Sequence, residues 1–227
     1  MQIAGMQKTT LVDFPGKVAS IVFTRGCNMR CPYCHNKQIA FDFESGNQEL
    51  MNTDDVLHVL DQRKHFIDGV VITGGEPTLQ KGLLGFMKLI KEEFGLLVKL
   101  DTNGSKPDVV QQAINLKLVD YLAMDLKTSF KRYKEFLGVD GDLIYKTYSI
   151  IRDSGISYEL RMTCYPDFVN SHIIDEVLPL LDPRDRIFIQ KCNPVGNQEI
   201  DPASYDKNQL DLFGDMFKDG GLTSSVR

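Results

Sequence analysis

Three of the chain's five cysteines fall within eight positions, as Cys27, Cys31 and Cys34 of GCNMRCPYCHN. Thiolates gathered on one loop mean metal or redox chemistry. A structural zinc ion usually takes four protein ligands, commonly as two separated pairs. No second CxxC pair exists here, and His35 adjoins Cys34 so closely that it would strain to reach the same ion. An iron–sulfur cube fits better: cubes are held by thiolates, normally four, and three would leave one iron open to substrate or cofactor. Gly26 lets the chain leave the preceding strand tightly, and Pro32 stiffens the loop. Tyr33 offers an aromatic face beside the last thiol; loop packing is its plainer role. Cys164 and Cys192 stand alone, and isolated cysteines of that kind are ordinarily small buried apolar residues.

Other polar residues follow apolar runs. Gly74, Gly75 and Glu76 sit in TGGEP, which by itself is a glycine turn ended by proline. Asp101, Thr102 and Asn103 open DTNG, a turn in which Asp and Asn can bond nearby backbone. Asp125 and Lys127 in MDLK could be a plain ion pair. Arg161 lies in YELRMTC, where it and Glu159 face away from Tyr158, Leu160 and Met162. It belongs either to a solvated or salt-bridged face, or to a guanidinium inside the barrel that faces a cofactor or substrate carboxylate. Asn193 sits in CNPVG. His58, His65 and His172 fall on predicted helices as ordinary surface residues.

The elements that must carry these residues alternate. Strands are predicted at 18–24, 69–75, 96–104, 119–127, 157–164 and 186–192, the second and third running into turns. Helices are predicted at 53–66, 83–94, 107–117, 143–153, 171–181 and 206–219. The first opens on Thr53 and Asp54 at its N-cap and turns Val56, Leu57, Leu60 and Phe66 to one face. Strands alternating with helices imply α/β architecture with a parallel sheet and right-handed crossovers. Six repeats in a single domain spanning 1–227 suggest an incomplete (β/α)6 TIM-like barrel, with a doubly wound open sheet as the alternative. In either, the carboxyl ends of the strands share one rim where sites form. The cluster loop (25–36), Gly74–Glu76 and Asn193 follow strands, Asp101–Asn103 and Asp125 with Lys127 end them, and Arg161 lies within the fifth.

The chain has 227 residues, 42% hydrophobic and 25% charged, with a formal net charge of −5. No basic excess marks a nucleic-acid surface. The longest apolar runs are too short to span a bilayer, and the N-terminus lacks a secretion signal. The expected compartment is the cytoplasm, where thiols stay reduced.

C-x-x-x-C-x-x-C, with Tyr33 before the third cysteine and GGEP after the second strand, resembles the signature of the radical S-adenosylmethionine superfamily. The resemblance is strongest to the compact activating enzymes of glycyl-radical proteins, such as anaerobic ribonucleotide reductase activating proteins and pyruvate formate-lyase activases. It runs through Asp13, Pro15 and Gly16, then CHN, GGEP, DTNG and MDLK, and fades past Asn193. It implies a [4Fe–4S] cluster on Cys27, Cys31 and Cys34 whose open iron is chelated by S-adenosylmethionine. It implies cofactor contacts from Tyr33, Gly74, Gly75, Glu76, Asp101, Thr102, Asn103, Asp125, Lys127, Arg161 and Asn193. Glu76 would meet the amino group, with the two glycines letting backbone approach the ligand. Asp101, Thr102 and Asp125 are the implied oxygen ligands of a monovalent cation. Five cysteines exclude the eight-cysteine insert of some activases, so one cluster is expected. The implied reaction is reductive cleavage to a 5′-deoxyadenosyl radical, which takes the Cα hydrogen of a glycine in a partner enzyme. An external low-potential donor such as flavodoxin or ferredoxin would supply the electron under anaerobic conditions. A small-molecule enzyme resembling 7-carboxy-7-deazaguanine synthase, and a zinc or electron-transfer module, are the alternatives.

Overall fold

The computed structural model describes residues 1–41, 49–192 and 205–227. Among these, no helix is long and apolar enough to cross a membrane. The chain divides into two compact units. The first comprises Met1–Asn28, Asn36–Thr102 and Lys106–Leu122; the second comprises Met29–His35, Asn103–Ser105 and Ala123–Arg227.

In the first unit the elements are β1 (Ile3–Thr10), β2 (Ala19–Thr24), α1 (Lys37–Ala40), α2 (Thr53–Arg63), β3 (Gly69–Gly74), α3 (Leu83–Glu92), β4 (Leu97–Thr102) and α4 (Pro107–Asn115). β2 pairs parallel with β3, from Ala19 opposite Gly69 to Thr24 opposite Gly74, and β3 pairs parallel with β4, with Ile72 opposite Leu100. Strands buried on both faces need near-continuous apolar sequence, which ASIVFT and GVVITG supply. Phe14, Ala19, Ile21, Val71 and Tyr121 form a buried apolar cluster, with Phe23 and Leu97 packed on them. Ala19, Ile21 and Phe23 alternate along β2, so they mark one face of it.

β5 (Tyr121–Asp125) begins in the first unit and ends in the second. The second unit continues with α5 (Tyr133–Leu137), α6 (Gly141–Asp153), β6 (Ser157–Cys164), α7 (Ser171–Val177), β7 (Arg186–Lys191), α8 (Lys207–Asp219) and β8 (Thr223–Val226). β6, β7 and β8 pair parallel in that order. α8 starts on a capping box between Asp206 and Gln209.

The six predicted strands are β2 to β7. Two more flank them: β8, and β1, which runs antiparallel to β2. α2 ends at Arg63, is capped by Asn52 rather than by Thr53 or Asp54, and leaves Phe66 outside it and 74% exposed. The Asn52 side chain accepts from Asp54 N at 3.0 Å, which closes the first turn.

Candidate active site

In the first unit the start and end of the cysteine loop are fastened to the turn after β3. Gly75 N donates to Thr24 O at 2.8 Å, and Glu76 N donates to Gly26 O at 2.7 Å. The Asn36 side-chain amide donates to Gly74 O at 2.9 Å, and Gly26 N donates to Ile39 O at 2.8 Å. Gln80 adds a further tie, donating to Arg25 O at 2.5 Å while accepting from Gln2 N at 2.9 Å.

The glycines follow from that contact. A Cβ on Gly75 would lie 2.1 Å from Gly26 O, and one on Gly74 would lie 2.4 Å from Thr24 N. Gly74 also has φ +112, which side chains rarely tolerate. The backbone that these glycines approach in the protein itself is that of Thr24–Gly26.

Glu76 is buried, and its Oε1 accepts three hydrogen bonds: from Thr78 N at 3.1 Å, Thr78 Oγ1 at 2.5 Å and Thr102 Oγ1 at 2.8 Å. It caps the short 3₁₀ turn Pro77–Leu79 and holds the end of β4. On β4, Lys99 Nζ lies 2.5 Å from Asp101 Oδ1, both side chains being buried. The Lys99 ammonium also stands 5.9 Å from the centroid of the Tyr121 ring. Sequence reasoning passed over Lys99 because a lysine in LVKLDT reads as the solvent-facing member of an alternating strand.

The second unit gathers the charged group. Asp125 accepts from Lys127 Nζ at 3.0 Å, and its Oδ1 meets Arg161 Nε at 3.0 Å and a terminal nitrogen at 2.9 Å. Burial pushes the Asp125 carboxyl up, but Lys127 and Arg161 together outweigh it and carry it down to about 2. Burial disfavours the Lys127 ammonium too; the Asp125 carboxylate, by charge and by hydrogen bond, is the largest of the influences that outweigh it and raise its pKa well above the usual range. Tyr133 fixes the segment, accepting from Lys127 N at 2.8 Å and donating to Asp125 O at 3.3 Å. Leu126 N donates to Arg161 O at 2.8 Å. Arg161 therefore lies in a salt bridge to Asp125, its side chain 17% exposed.

Within the loop, Cys31 and Tyr33 are buried, Cys27 and Cys34 half-buried and His35 exposed. The Tyr33 ring packs on Tyr165 and Phe168, with centroids 5.4 and 5.8 Å away. Its hydroxyl is buried without a hydrogen-bond partner, as is Thr128 Oγ1. Burial raises the Tyr33 pKa despite the nearby Lys127 charge, so the group is a neutral donor. Asn103 Oδ1 accepts from Ser105 N at 2.9 Å, and Thr147 Oγ1 donates to Gly104 O at 2.6 Å. The expected turn at DTNG is thus pinned from α6.

Cys164 is fully buried, and burial pushes its thiol up to about 12, as an inert core residue requires. Cys192, expected to be similar, is only half-buried. His58, His65 and His172 are exposed. Asn193 lies outside the described residues.

Among the described residues, no three His, Cys, Asp or Glu side chains form a ligand set for a single metal ion. That bears on one-ion sites; the thiolates of a cube each bind a different iron. For a cube and its cofactor the donor chemistry fits: three thiols on one loop, a buried Tyr33 donor without a partner, and an anchored ion-pair network beside Cys31. For a monovalent cation the donor set does not fit, because Asp101 faces Lys99 and Asp125 faces Lys127 and Arg161.

The "Putative glycyl-radical enzyme activating enzyme MJ1227" of Methanocaldococcus jannaschii is 34% identical over 200 residues, 85% of this chain and 80% of that protein. The pyruvate formate-lyase-activating enzyme of Clostridium pasteurianum is 32% identical over 131 residues, 56% of this chain and about half (52%) of that protein. Among solved structures, a radical SAM methyltransferase from Sphaerobacter thermophilus superposes with a TM-score of 0.73 at 14% identity, covering 96% of this chain and 68% of that one. That likeness shows the fold: α/β with a parallel sheet, in the class of the incomplete TIM-like barrel. The Radical SAM superfamily profile matches residues 21–177. The chain belongs to the radical SAM superfamily and is an enzyme of that type.

Proposed function

We propose that the protein activates a glycyl-radical enzyme, using one [4Fe–4S] cluster and S-adenosylmethionine. The observation that carries this reading is the 34% identity to a protein named as such an activating enzyme, spread over 85% of the chain. The cysteine loop and the anchored turns after β3, β4 and β5 support it. We take residues 1–227 as one catalytic domain, since the family match at 21–177 runs through both compact units.

In this reading Cys27, Cys31 and Cys34 hold the cluster. Bound there, cluster and cofactor supply one-electron chemistry that yields a carbon-centred radical able to abstract hydrogen. The chain binds, orients and excludes water. Glu76, oriented by Thr78 and Thr102, receives the cofactor's amino group. Tyr33 offers its hydroxyl. Asp125, fixed between Lys127 and Arg161, is set to accept hydrogen bonds, and Asn103 and Asn193 complete the contacts. Glycine suits the task of substrate: lacking Cβ, it lets a loop present a backbone hydrogen with little steric hindrance. The partner is anaerobic ribonucleotide reductase or a relative, the electron donor a flavodoxin or ferredoxin, and the compartment the cytoplasm.

The test is anaerobic reconstitution. About four irons and four sulfides per chain are expected, falling when Cys27, Cys31 and Cys34 are changed to alanine and unaffected by Cys164→Ala. With reductant and S-adenosylmethionine the protein should release 5′-deoxyadenosine, and with a co-encoded glycyl-radical enzyme it should generate the doublet of a glycyl radical in electron paramagnetic resonance. Deoxyadenosine release that depends on a small molecule, with no radical on any partner protein, would overturn the activase reading.

A further inference from the structure

The resemblance places a monovalent cation at Asp101, Thr102 and Asp125, and the side chains there do other work. Lys99 and Asp101 lie two residues apart on one face of β4, joined at 2.5 Å, with the Lys99 side chain 2% exposed. Thr102 is the next residue. Successive strand side chains point to opposite faces, and its hydroxyl reaches Glu76 at 2.8 Å. Asp101 and Thr102 are therefore not convergent side-chain ligands. Asp125 already has Lys127 at 3.0 Å and Arg161 at 2.9 Å.

A buried ammonium is tolerated only when paired. Lys99 meets that need with the Asp101 carboxylate and the Tyr121 ring face. A second cation bound to Asp101 would be repelled by the ammonium at close range, in a setting where water screens little. We propose that Lys99 is a built-in counter-charge. It takes the place of a dissociable monovalent cation at Asp101, so cofactor binding by this chain does not depend on potassium or sodium. Lys99 is a positioning residue acting through Asp101, and the inference rests on the function proposed above.

The experiment uses the reconstituted holoprotein in tetramethylammonium buffer, with thallium(I) nitrate as the cation probe read by thallium-205 nuclear magnetic resonance. The wild type should show no saturable site. Lys99→Ala should gain one, which Lys99→Ala combined with Asp101→Asn loses again, while Lys99→Arg, which keeps the charge, gains none. A saturable thallium site on the wild type that Asp101→Asn removes would overturn the proposal. So would a folded Lys99→Ala protein that binds no thallium. If Lys99→Ala does not fold, the wild-type titration decides alone. As a second readout, the wild-type dissociation constant for S-adenosylmethionine should agree within about twofold between potassium and tetramethylammonium buffers, and a difference of about tenfold would refute the idea. Absence of 5′-deoxyadenosine release would overturn the functional reading, and the thallium titration would still decide the role of Lys99.

Discussion

Gly75→Ala adds one methyl group, and the structure assigns it a large effect. The new Cβ would lie 2.1 Å from Gly26 O and 2.7 Å from Gly26 C. Both obstacles are backbone, so no rotamer change relieves the clash, and the two segments must separate by about 1 Å to restore ordinary contact. Separation stretches the hydrogen bonds from Gly75 N to Thr24 O and from Glu76 N to Gly26 O. Overpacking costs about 1–3 kcal/mol, and two weakened hydrogen bonds add about 1 kcal/mol each. The expected loss is about 4 kcal/mol, or a fall of about 10 °C in Tm for a chain of this size. Because Gly26 precedes Cys27, the same shift misplaces a thiol, and a misplacement of about 1 Å is enough for a roughly hundredfold loss of rate. The control is Gly85→Ala in α3, where a Cβ meets nothing within 4 Å. That change should raise stability by about 0.5–1 kcal/mol, the usual gain of alanine over glycine inside a helix. Differential scanning calorimetry of both variants, with iron content and 5′-deoxyadenosine formation, tests the pair. A Gly75→Ala protein matching the wild type in Tm and iron content would refute the reasoning.

Glu76→Gln keeps an oxygen for Thr78 and Thr102 but removes the charge, so chemical denaturation should shift little while S-adenosylmethionine binding by calorimetry weakens about tenfold. Tyr33→Phe deletes a buried hydroxyl that has no partner in the protein; the apoprotein should gain about 1 kcal/mol and the holoprotein should bind the cofactor less well. Asp125 titrates at about 2 in the fold, below its ordinary value, so its stabilisation is complete above about pH 4 and fades as pH falls through about 2. Acid unfolding followed by circular dichroism should therefore lose this component in Asp125→Asn, with the two proteins' stabilities converging below that window.

The parallel strands were legible because ASIVFT and GVVITG are buried on both faces and carry the near-continuous apolar runs that such burial favours. β1 was not legible, since Gln7, Lys8 and Thr9 are exposed and IAGMQKTT carries little apolar signal for an antiparallel edge. β8 is the four-residue TSSV, separated from a glycine pair by Leu222 alone, and only its pairing with β7 makes it a strand. The cysteine loop could be read from residue type alone. The roles of Asn36, Gln80 and Lys99 could not, because each depends on a residue distant in sequence or on burial that a local pattern cannot encode.

The turn after β3 also bears on the cost of holding a cluster. Closing a flexible loop has an entropic cost that rises slowly with its length. Here the loop is already closed by folding at both ends. Gly26 O accepts from Glu76 N, and the Asn36 amide donates to Gly74 O, so the start and the end of the cysteine segment rest on one turn. That turn is in turn set by the register of β2 on β3, with Thr24 opposite Gly74. The ordering cost that metal binding would otherwise meet is thus carried by the strands. It follows that substitutions in the Gly74–Glu76 turn, which contains no thiol, should weaken iron retention together with stability, whereas the loss of a single cysteine should reduce iron retention and leave the fold of the apoprotein standing.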